Sequence, residues 1–335
     1  MPASSAPVRV AVVGATGYAG QELVRLLARH PGARLTLATG SPAATGVRRI
    51  PALARIWDGE VVPLDPARVA ADAEVVFLAL PEAASAEIAP RLVDAGRRVV
   101  DLSGAFRLRD EAARARWYPA TTTMPRGVAY GLTEFEADAI RAARLVSNPG
   151  CYPTAALLAL QPLAKAGLLA PTADVIVDAK SGISGAGKAP SDRTHFSENH
   201  GSVAAYGAFG HRHTPEMEQA LGRAVSFVPH LVPLDRGLLA SVYVRLAPGA
   251  TGAAVADAFA AAYARAPFVR VTGTDLPEIK HVAWTNFCDI GWKLDEPTGR
   301  LLVVAVIDNL LKGAAGSAVQ NFNVLCDFEE TAGLL

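Results

Sequence analysis

Apolar residues in the first half of the chain come in short β-branched runs, separated by stretches in which they recur with the period of a helix. "VRVAVVG" (8–14) predicts a buried strand, "GQELVRLLARH" (20–30) a helix and "RLTLAT" (34–39) a second strand. "AEVVFLALP" (73–81), "ASAEIAPRLVDAG" (84–96) and "RVVDLS" (98–103) repeat the alternation. Strand, helix and strand in this rhythm build a parallel sheet with helices on both faces, a Rossmann-type α/β domain. From about residue 174 the texture changes. "DVIVDAKSG", "VSFVPHLVPL", "LLASVYVRLAP" and "VAWTNFCDIGWKL" are longer strand-like runs with fewer helices between them, which predicts an α+β catalytic domain on a mixed or antiparallel sheet. A last strand and helix follow in "RLLVVAVIDNLLKGAAGSAVQNFNVL" (300–325), where the small residues of "KGAAGSA" suit close packing on the first domain. The expected division is therefore 1–150 with 310–335, and 151–309. With no repeat, low-complexity tract or flexible linker, a tight interface between the two is expected.

Composition narrows the function. The 335 residues are 51% hydrophobic and 19% charged, enough for two cores. Lysine plus arginine equal aspartate plus glutamate at 32 each, so no net field favours nucleic acid or an anionic membrane; a small molecule recognised locally is the expected partner. The three cysteines are odd in number and form no CxxC pair, which fits a reducing cytoplasm rather than a disulfide framework or zinc site. The N-terminal stretch lacks a basic region followed by an apolar one, and no run approaches a membrane span, so a soluble, untargeted protein is expected.

"GATGYAG" places Gly14, Gly17 and Gly20 directly after the first strand and at the start of the first helix. Side chains there would keep the backbone away from a pyrophosphate, which helix N-terminal amides otherwise hold. Thr16 and Tyr18 belong to the same loop. The second strand ends in "LATGSPAATGVRR", without the acid that usually holds an NAD ribose hydroxyl. A phosphorylated ribose is tolerated, with Thr39 and Ser41 as its contacts, so NADP(H) is expected. Arg48 and Arg49 either join them or are simply solvated.

"GISGAGK" (182–188) matches the first seven positions of a phosphate-binding P-loop, but Ala189 stands where the magnesium-binding hydroxyl belongs, and Pro190 follows. An NTPase is not expected. The glycines still mark a loop whose amides approach a ligand.

In "SNPGCYPTAALLALQP" a thiol lies between a Pro-Gly turn and an apolar helix. Pro153 reads as the first helical residue, placing Cys151 at or beside the N-terminus, where the dipole favours a thiolate. Cys288 and Cys326 read as packing residues. A nucleophile needs a proton shuttle, and "FGHRHTPEMEQAL" offers His211 and His213 just before another helix, with Thr214 as its cap and Pro215 as its first residue. No Cys/His cluster at ligand spacing completes a metal site, so no metal is expected. His30, His195, His200, His230 and His281 are read as inert.

These stretches, with "GATGYAGQELVRLL", "KSGISGAG", "HRHTPEMEQ", "LVPLDRGLL" and "DNLLKGAAGSAVQNFN", resemble the N-acetyl-gamma-glutamyl-phosphate reductase family, similar in fold and chemistry to aspartate-semialdehyde dehydrogenase. The resemblance runs from residue 10 to about 324. It implies NADPH-dependent reduction of an acyl phosphate through a thioester on Cys151, in arginine biosynthesis, by a homo-oligomer (dimer or tetramer). One histidine of the pair, His211 in preference to His213, would move protons. By the same resemblance Arg107, Asn148, Ser181, Gly182 and Arg236 fall to the substrate, with Gly185 beside them, and Asn309 and Lys312 to the cofactor. Arg107 and Arg236 can equally be read as ion-pair residues.

Two positions depart from the family pattern: Glu82 stands where a histidine is usual and Ala105 where an aspartate is common. Both follow Rossmann strands, so the acyl chain stays open. A shorter aspartyl or longer aminoadipyl substrate, or a non-catalytic NADP sensor, are the alternatives. A short-chain dehydrogenase is disfavoured because no YxxxK pair is present.

Overall fold

The computed structural model describes residues 6–41 and 45–335. Residues 42–44, within the loop searched for a ribose-binding acid, lie outside them, as do the first five of the N-terminal stretch. The chain divides into two compact units, Met1–Pro149 with Ala314–Leu335, and Gly150–Gly313.

The first unit is built from β1 (Val8–Val13), α1 (Tyr18–Leu27), β2 (Ala33–Thr39), β3 (Val61–Val62), α2 (Pro66–Asp72), β4 (Val75–Leu78), α3 (Glu82–Asp94), β5 (Arg98–Asp101), α4 (Glu111–Trp117), β6 (Val128–Tyr130), α5 (Thr133–Ala142) and β7 (Leu145–Ser147). Its seven strands pair in parallel in the order β3-β2-β1-β4-β5-β7-β6. The direction of winding reverses between β1 and β4, and ligands of open α/β sheets bind at such a switch point. Successive residues of a strand face opposite sides, so both sides of this sheet are apolar. Val10, Val12, Phe77 and Val100 pack with Leu23, Val24 and Leu27 of α1. Ala11, Val13, Val76, Leu78 and Val99 pack on the other side with Val69 of α2 and Ile88, Ala89 and Leu92 of α3. Ala105 is wholly buried in that second cluster beside Phe106, and Glu82 opens α3, where the helix dipole favours an acid.

The second unit holds α6 (Cys151–Lys165), β8 (Ile176–Gly182), α7 (Phe196–Asn199), β9 (Ala204–Ala205), α8 (Thr214–Leu221), β10 (Ser226–Val232), β11 (Leu238–Arg245), α9 (Gly252–Tyr263), β12 (Val269–Gly273), β13 (Cys288–Asp295) and β14 (Arg300–Ile307). Its mixed sheet runs β12-β13-β14-β11-β8-β10-β9, with β12/β13 and β8/β10 parallel and the other pairs antiparallel. Helix α6 packs against β11, β14, α8 and α9. Every residue from Tyr152 to Leu163 is buried, which explains why its sequence is apolar all round rather than amphipathic. Cys288 opens β13 with no exposure. The chain then passes a π-helical turn, Leu311–Ala315, and enters α10 (Gly316–Leu325), which packs on α1 and α5 of the first unit, to which it belongs. Cys326 follows, its thiol pushed up to about 11 by burial.

Two local details, both helix starts, differ from the sequence reading. Helix α6 begins at Cys151, with Gly150 as its cap, so Pro153 is the third helical residue, still within the turn where no amide donor is needed. Helix α8 begins at Thr214, and the cap is His213. After β8 the "GISGAGK" segment forms only a short 3-10 turn, Ile183–Ala186, and no helix follows at Lys188.

The β1–α1 turn is sterically tight. Gly14 has φ +89°, and a β-carbon there would lie 2.2 Å from the Ala79 carbonyl oxygen; one on Gly20 would lie 2.1 Å from that of Gly14. Both obstacles are backbone, so nothing flexible can yield. Gly20→Ala is expected to destabilise the protein by about 1–3 kcal/mol, the range for overpacking, read as a lower denaturation midpoint in urea. An unchanged midpoint would show that the turn relaxes without penalty.

Candidate active site

In the second unit, the first turn of α6 carries the thiol. Cys151 is half-buried and occupies the first helical position, where the amides of the turn and the positive end of the dipole favour a sulfur anion. No side chain caps this helix. Instead the Gly150 N–H donates to Oε1 of Glu216 at 2.9 Å, and the Gly150 carbonyl accepts from the Thr154 N–H and hydroxyl, each at 2.9 Å. Glycine is required at 150 because a β-carbon would lie 2.4 Å from Nε2 of His213, and at 313 because one would lie 2.8 Å from the β-carbon of Cys151.

Both imidazoles are therefore set against the residues flanking the thiol. His213, buried, packs on Gly150; His211 meets the Tyr152 ring edge-on at 5.9 Å. The two imidazoles are 4.7 Å apart between centroids. The His213 N–H donates to Nδ1 of His211 at 3.1 Å, which places the hydrogen of the neutral His211 ring on Nε2. Burial, with Arg212 nearby, lowers the His211 pKa to about 4. Tyr206 donates from its hydroxyl to that of Tyr152 (3.2 Å), which donates to the His230 carbonyl (3.1 Å). Burial raises the pKa of both phenols, so they remain protonated donors.

A second group of residues lies where β8 and β14 end and β11 begins. Ser181 is buried and its hydroxyl donates to the Gly182 carbonyl (3.1 Å), while a β-carbon on Gly185 would lie 2.7 Å from the Ser181 oxygen. A β-carbon on Gly182 would lie 2.7 Å from the Arg236 nitrogen. Asn309 accepts from the Gly237 N–H (2.7 Å) and donates to the Ser184 hydroxyl (2.9 Å), so its amide ties two loops together. Arg236, which is buried, donates from Nη1 to Oδ2 of Asp308 at 3.2 Å. Of the two readings of this arginine, an ion pair is thus present, and it lies inside the unit rather than on its surface. Lys312 is also buried, its ammonium 5.8 Å from the centroid of the Phe268 ring.

In the first unit, the Gly14 and Ala15 amides donate to the Thr39 carbonyl at 3.0 and 2.9 Å, closing the nucleotide-type turn against β2. Gly17 caps α1, and no side chain covers that terminus. Thr16 is half-buried and Tyr18 exposed at its mouth. Thr39 is fully buried with its hydroxyl on the Gly40 carbonyl, whereas Ser41 is half-buried and Arg48 and Arg49 are exposed. Arg107 donates to the carbonyls of Asn148 (2.9 Å) and Leu102 (2.8 Å). The Asn148 side chain accepts from Asn321 (3.0 Å) and donates to the Ala314 carbonyl (3.3 Å).

Sequence reasoning did not single out Glu216, Asp308, Tyr152 or Tyr206. Glu216 had a signal, being three residues beyond His213 in the first turn of α8, where a carboxyl reaches backbone amides. Asp308 sits beside Asn309 yet serves groups distant in sequence, which no local pattern reveals. Among the described residues, no group of three or more His, Cys, Asp or Glu side chains could hold a metal, and no helix is long and apolar enough to cross a membrane.

Comparison with known proteins identifies the family. Residues 9–143 match the model of the semialdehyde dehydrogenase NAD binding domain, and residues 151–309 that of the semialdehyde dehydrogenase dimerisation domain. The chain is 46% identical to the N-acetyl-gamma-glutamyl-phosphate reductase of Syntrophobacter fumaroxidans, over 98% of each, and 47% identical to that of Symbiobacterium thermophilum, over 98% of this chain and 97% of the relative. Among solved structures, aspartate semialdehyde dehydrogenase II from Vibrio cholerae superposes with a TM-score of 0.74 at 19% identity, over 96% of this chain and 99% of that one. An aspartate semialdehyde dehydrogenase with NADP from Candida albicans gives 0.69 at 16% identity, over 95% and 98%. The structural matches establish the shared fold, and identity over nearly the whole length establishes that the chain belongs to the N-acetyl-gamma-glutamyl-phosphate reductase family of semialdehyde dehydrogenases.

Proposed function

We propose that this enzyme reduces N-acetyl-glutamyl 5-phosphate to N-acetyl-glutamate 5-semialdehyde with NADPH, releasing phosphate, in cytoplasmic arginine biosynthesis. The observation that carries the reading is a half-buried thiol at the first position of α6 with both imidazoles packed against its neighbours. The relatives' name supplies the acyl group.

The first unit is assigned to the cofactor and the second to catalysis and self-association. The glycine cradle fits a dinucleotide: Gly14 and Gly20 leave no room for side chains, and the uncapped start of α1 offers amides to a pyrophosphate. Thr16, Gly17 and Tyr18 complete that mouth, with Ser41 in preference to the buried Thr39 for the ribose phosphate. When bound, the reduced nicotinamide supplies the hydride. Asn309 and Lys312 are assigned to the cofactor by the family resemblance.

The chain's own part begins with Cys151. Its thiolate attacks the acyl carbon, the C–O bond to phosphate breaks, and a thioester forms. His211, neutral and bearing its hydrogen on Nε2, donates to the carbonyl oxygen as negative charge develops; a depressed pKa suits an imidazole that acts as a neutral electrophile. After reduction the oxyanion collapses to the aldehyde and expels the thiolate. One proton is consumed per turnover, at the departing phosphate. Arg236 and the Gly185 amide are assigned to the substrate; Gly182, whose own amide is held by the Gly237 carbonyl, lines the site, with Ser181 orienting that loop. Arg107 and Asn148 are assigned to the same task, acting through the backbone that they brace.

Run in reverse, with semialdehyde, phosphate and NADP, turnover should occur with N-acetylglutamate semialdehyde and not with aspartate or aminoadipate semialdehyde. The opposite preference would overturn the acyl assignment, and tight NADP binding without any turnover would mark a sensor. Cys151→Ser should lower kcat by about 10⁴-fold or more while leaving NADP affinity unchanged; retained activity would exclude the covalent route.

His211 also predicts a pH signature. Its folded pKa of about 4 lies below the ordinary 6.5, so the unfolded chain takes up the proton first. The neutral ring's contribution to stability should be complete above pH 6.5 and decline as pH falls toward 4. His211→Asn should flatten that part of the stability profile, measured by urea denaturation between pH 4 and 7.

The dimerisation-domain match and the face of the second sheet opposite α6 support a homo-oligomer. Ile176 on β8 and Tyr243 on β11 are paired neighbours there, both exposed, and they line a groove of about 690 Å³ with Arg245, Lys293 and Leu302. Tyr243→Asp is expected to shift the light-scattering mass to that of a single chain; an unchanged mass would move the interface elsewhere.

A further inference from the structure

Trp284 is held in a conformation that its own chemistry disfavours. Its φ is +68°, a left-handed backbone that suits glycine and strains a bulky residue, and the residue is 61% exposed. Burial of the indole therefore does not account for the strain. What holds it is specific: the Trp284 N–H donates to Oδ2 of Asp308 at 2.7 Å, and the indole lies over the Arg236 guanidinium with the central carbon 3.7 Å from the ring centroid. The same carboxylate oxygen accepts from Nη1 of Arg236 at 3.2 Å.

Asp308 is fully buried, and its other oxygen accepts from the amides of Leu310 (2.8 Å) and Leu311 (2.9 Å). Its carboxylate is thus fixed by backbone donors on one side, and it presents Arg236 and Trp284 to each other on the other. With an aromatic plane on one face and an anion at one edge, the guanidinium has one orientation. Because Asp308 already balances part of its charge, a singly charged planar carboxylate is a closer match for this arginine than a doubly charged phosphate.

We propose that Trp284 is a positioning residue: it holds Arg236 in register to receive the carboxylate of the substrate. This rests on the assignment of Arg236 to substrate binding. The strained backbone and the stacked indole are the two halves of the device. Trp284→Gly removes both, since glycine accepts the left-handed φ without strain and has no ring.

The test measures the reverse reaction of the intact enzyme with NADP, varying N-acetylglutamate semialdehyde and inorganic phosphate separately. Trp284→Gly should raise KM for the semialdehyde about tenfold, leave KM for phosphate within twofold and keep kcat within about threefold. Trp284→Phe, which keeps an aromatic face, should return the semialdehyde KM to within about threefold of wild type. Should the glycine variant fail to fold, Trp284→Leu is expected to show the same split, because it fills space without a π face. An unchanged semialdehyde KM, or a rise in the phosphate KM instead, overturns the proposal. Arg236→Lys separates the two levels. If it raises the semialdehyde KM while Trp284→Gly does not, only the role of Trp284 falls; if neither variant moves that KM, the assignment of Arg236 falls with it.

Discussion

The hydrogen bond from the Gly150 amide to the buried carboxyl of Glu216 governs the second unit. It joins the starts of two helices that are 63 residues apart in sequence, Cys151 of α6 and Thr214 of α8. Leaving a buried amide unpaired costs about 1–3 kcal/mol, so the contact fixes where α6 begins. It also dictates what surrounds it. Gly150 cannot carry a side chain because His213, brought in by the same helix start, occupies that space. The thiol, the imidazoles and the carboxyl are consequences of one junction.

A common device recurs across the molecule: oxygen atoms are fixed by backbone amides, and charged side chains are then placed against them. Asp308 takes three amides before it takes an arginine. Arg107 in the first unit does the converse, spending its guanidinium on carbonyls. The imidazole of His211 is likewise set by a main-chain donor, which selects its tautomer. Backbone donors sit on rigid elements, so groups positioned this way keep their orientation better than side chains held only by other side chains.

Much of the fold was legible because its signals are local. The β-branched runs gave β1 and β2 to within a residue and β4 and β5 as shorter strands inside their runs, and Gly14 and Gly20 of the first turn are fixed by their approach to the protein's own carbonyls. The helix starts were less legible. Pro153 and Thr214 are both favourable at positions they do not occupy, because the amides of those turns are satisfied by Glu216 and His211 rather than by the residues themselves. Arg236 and Asn309 entered through the family resemblance, but their partners, Asp308, Trp284 and Gly237, are set by strand pairing. Pairing register across a mixed sheet leaves no trace in a local window.

Gly313, the last residue of the second unit, abuts Cys151, the second residue of that same unit. Entry and exit of this segment therefore lie side by side, as they do in a guest domain spliced into a host. Cys151 travels with the guest. An insert whose ends meet in this way is exchangeable by two crossovers, near residues 150 and 313, without stretching the host chain, so the glycine that leaves room for Cys151 also marks a seam for recombination.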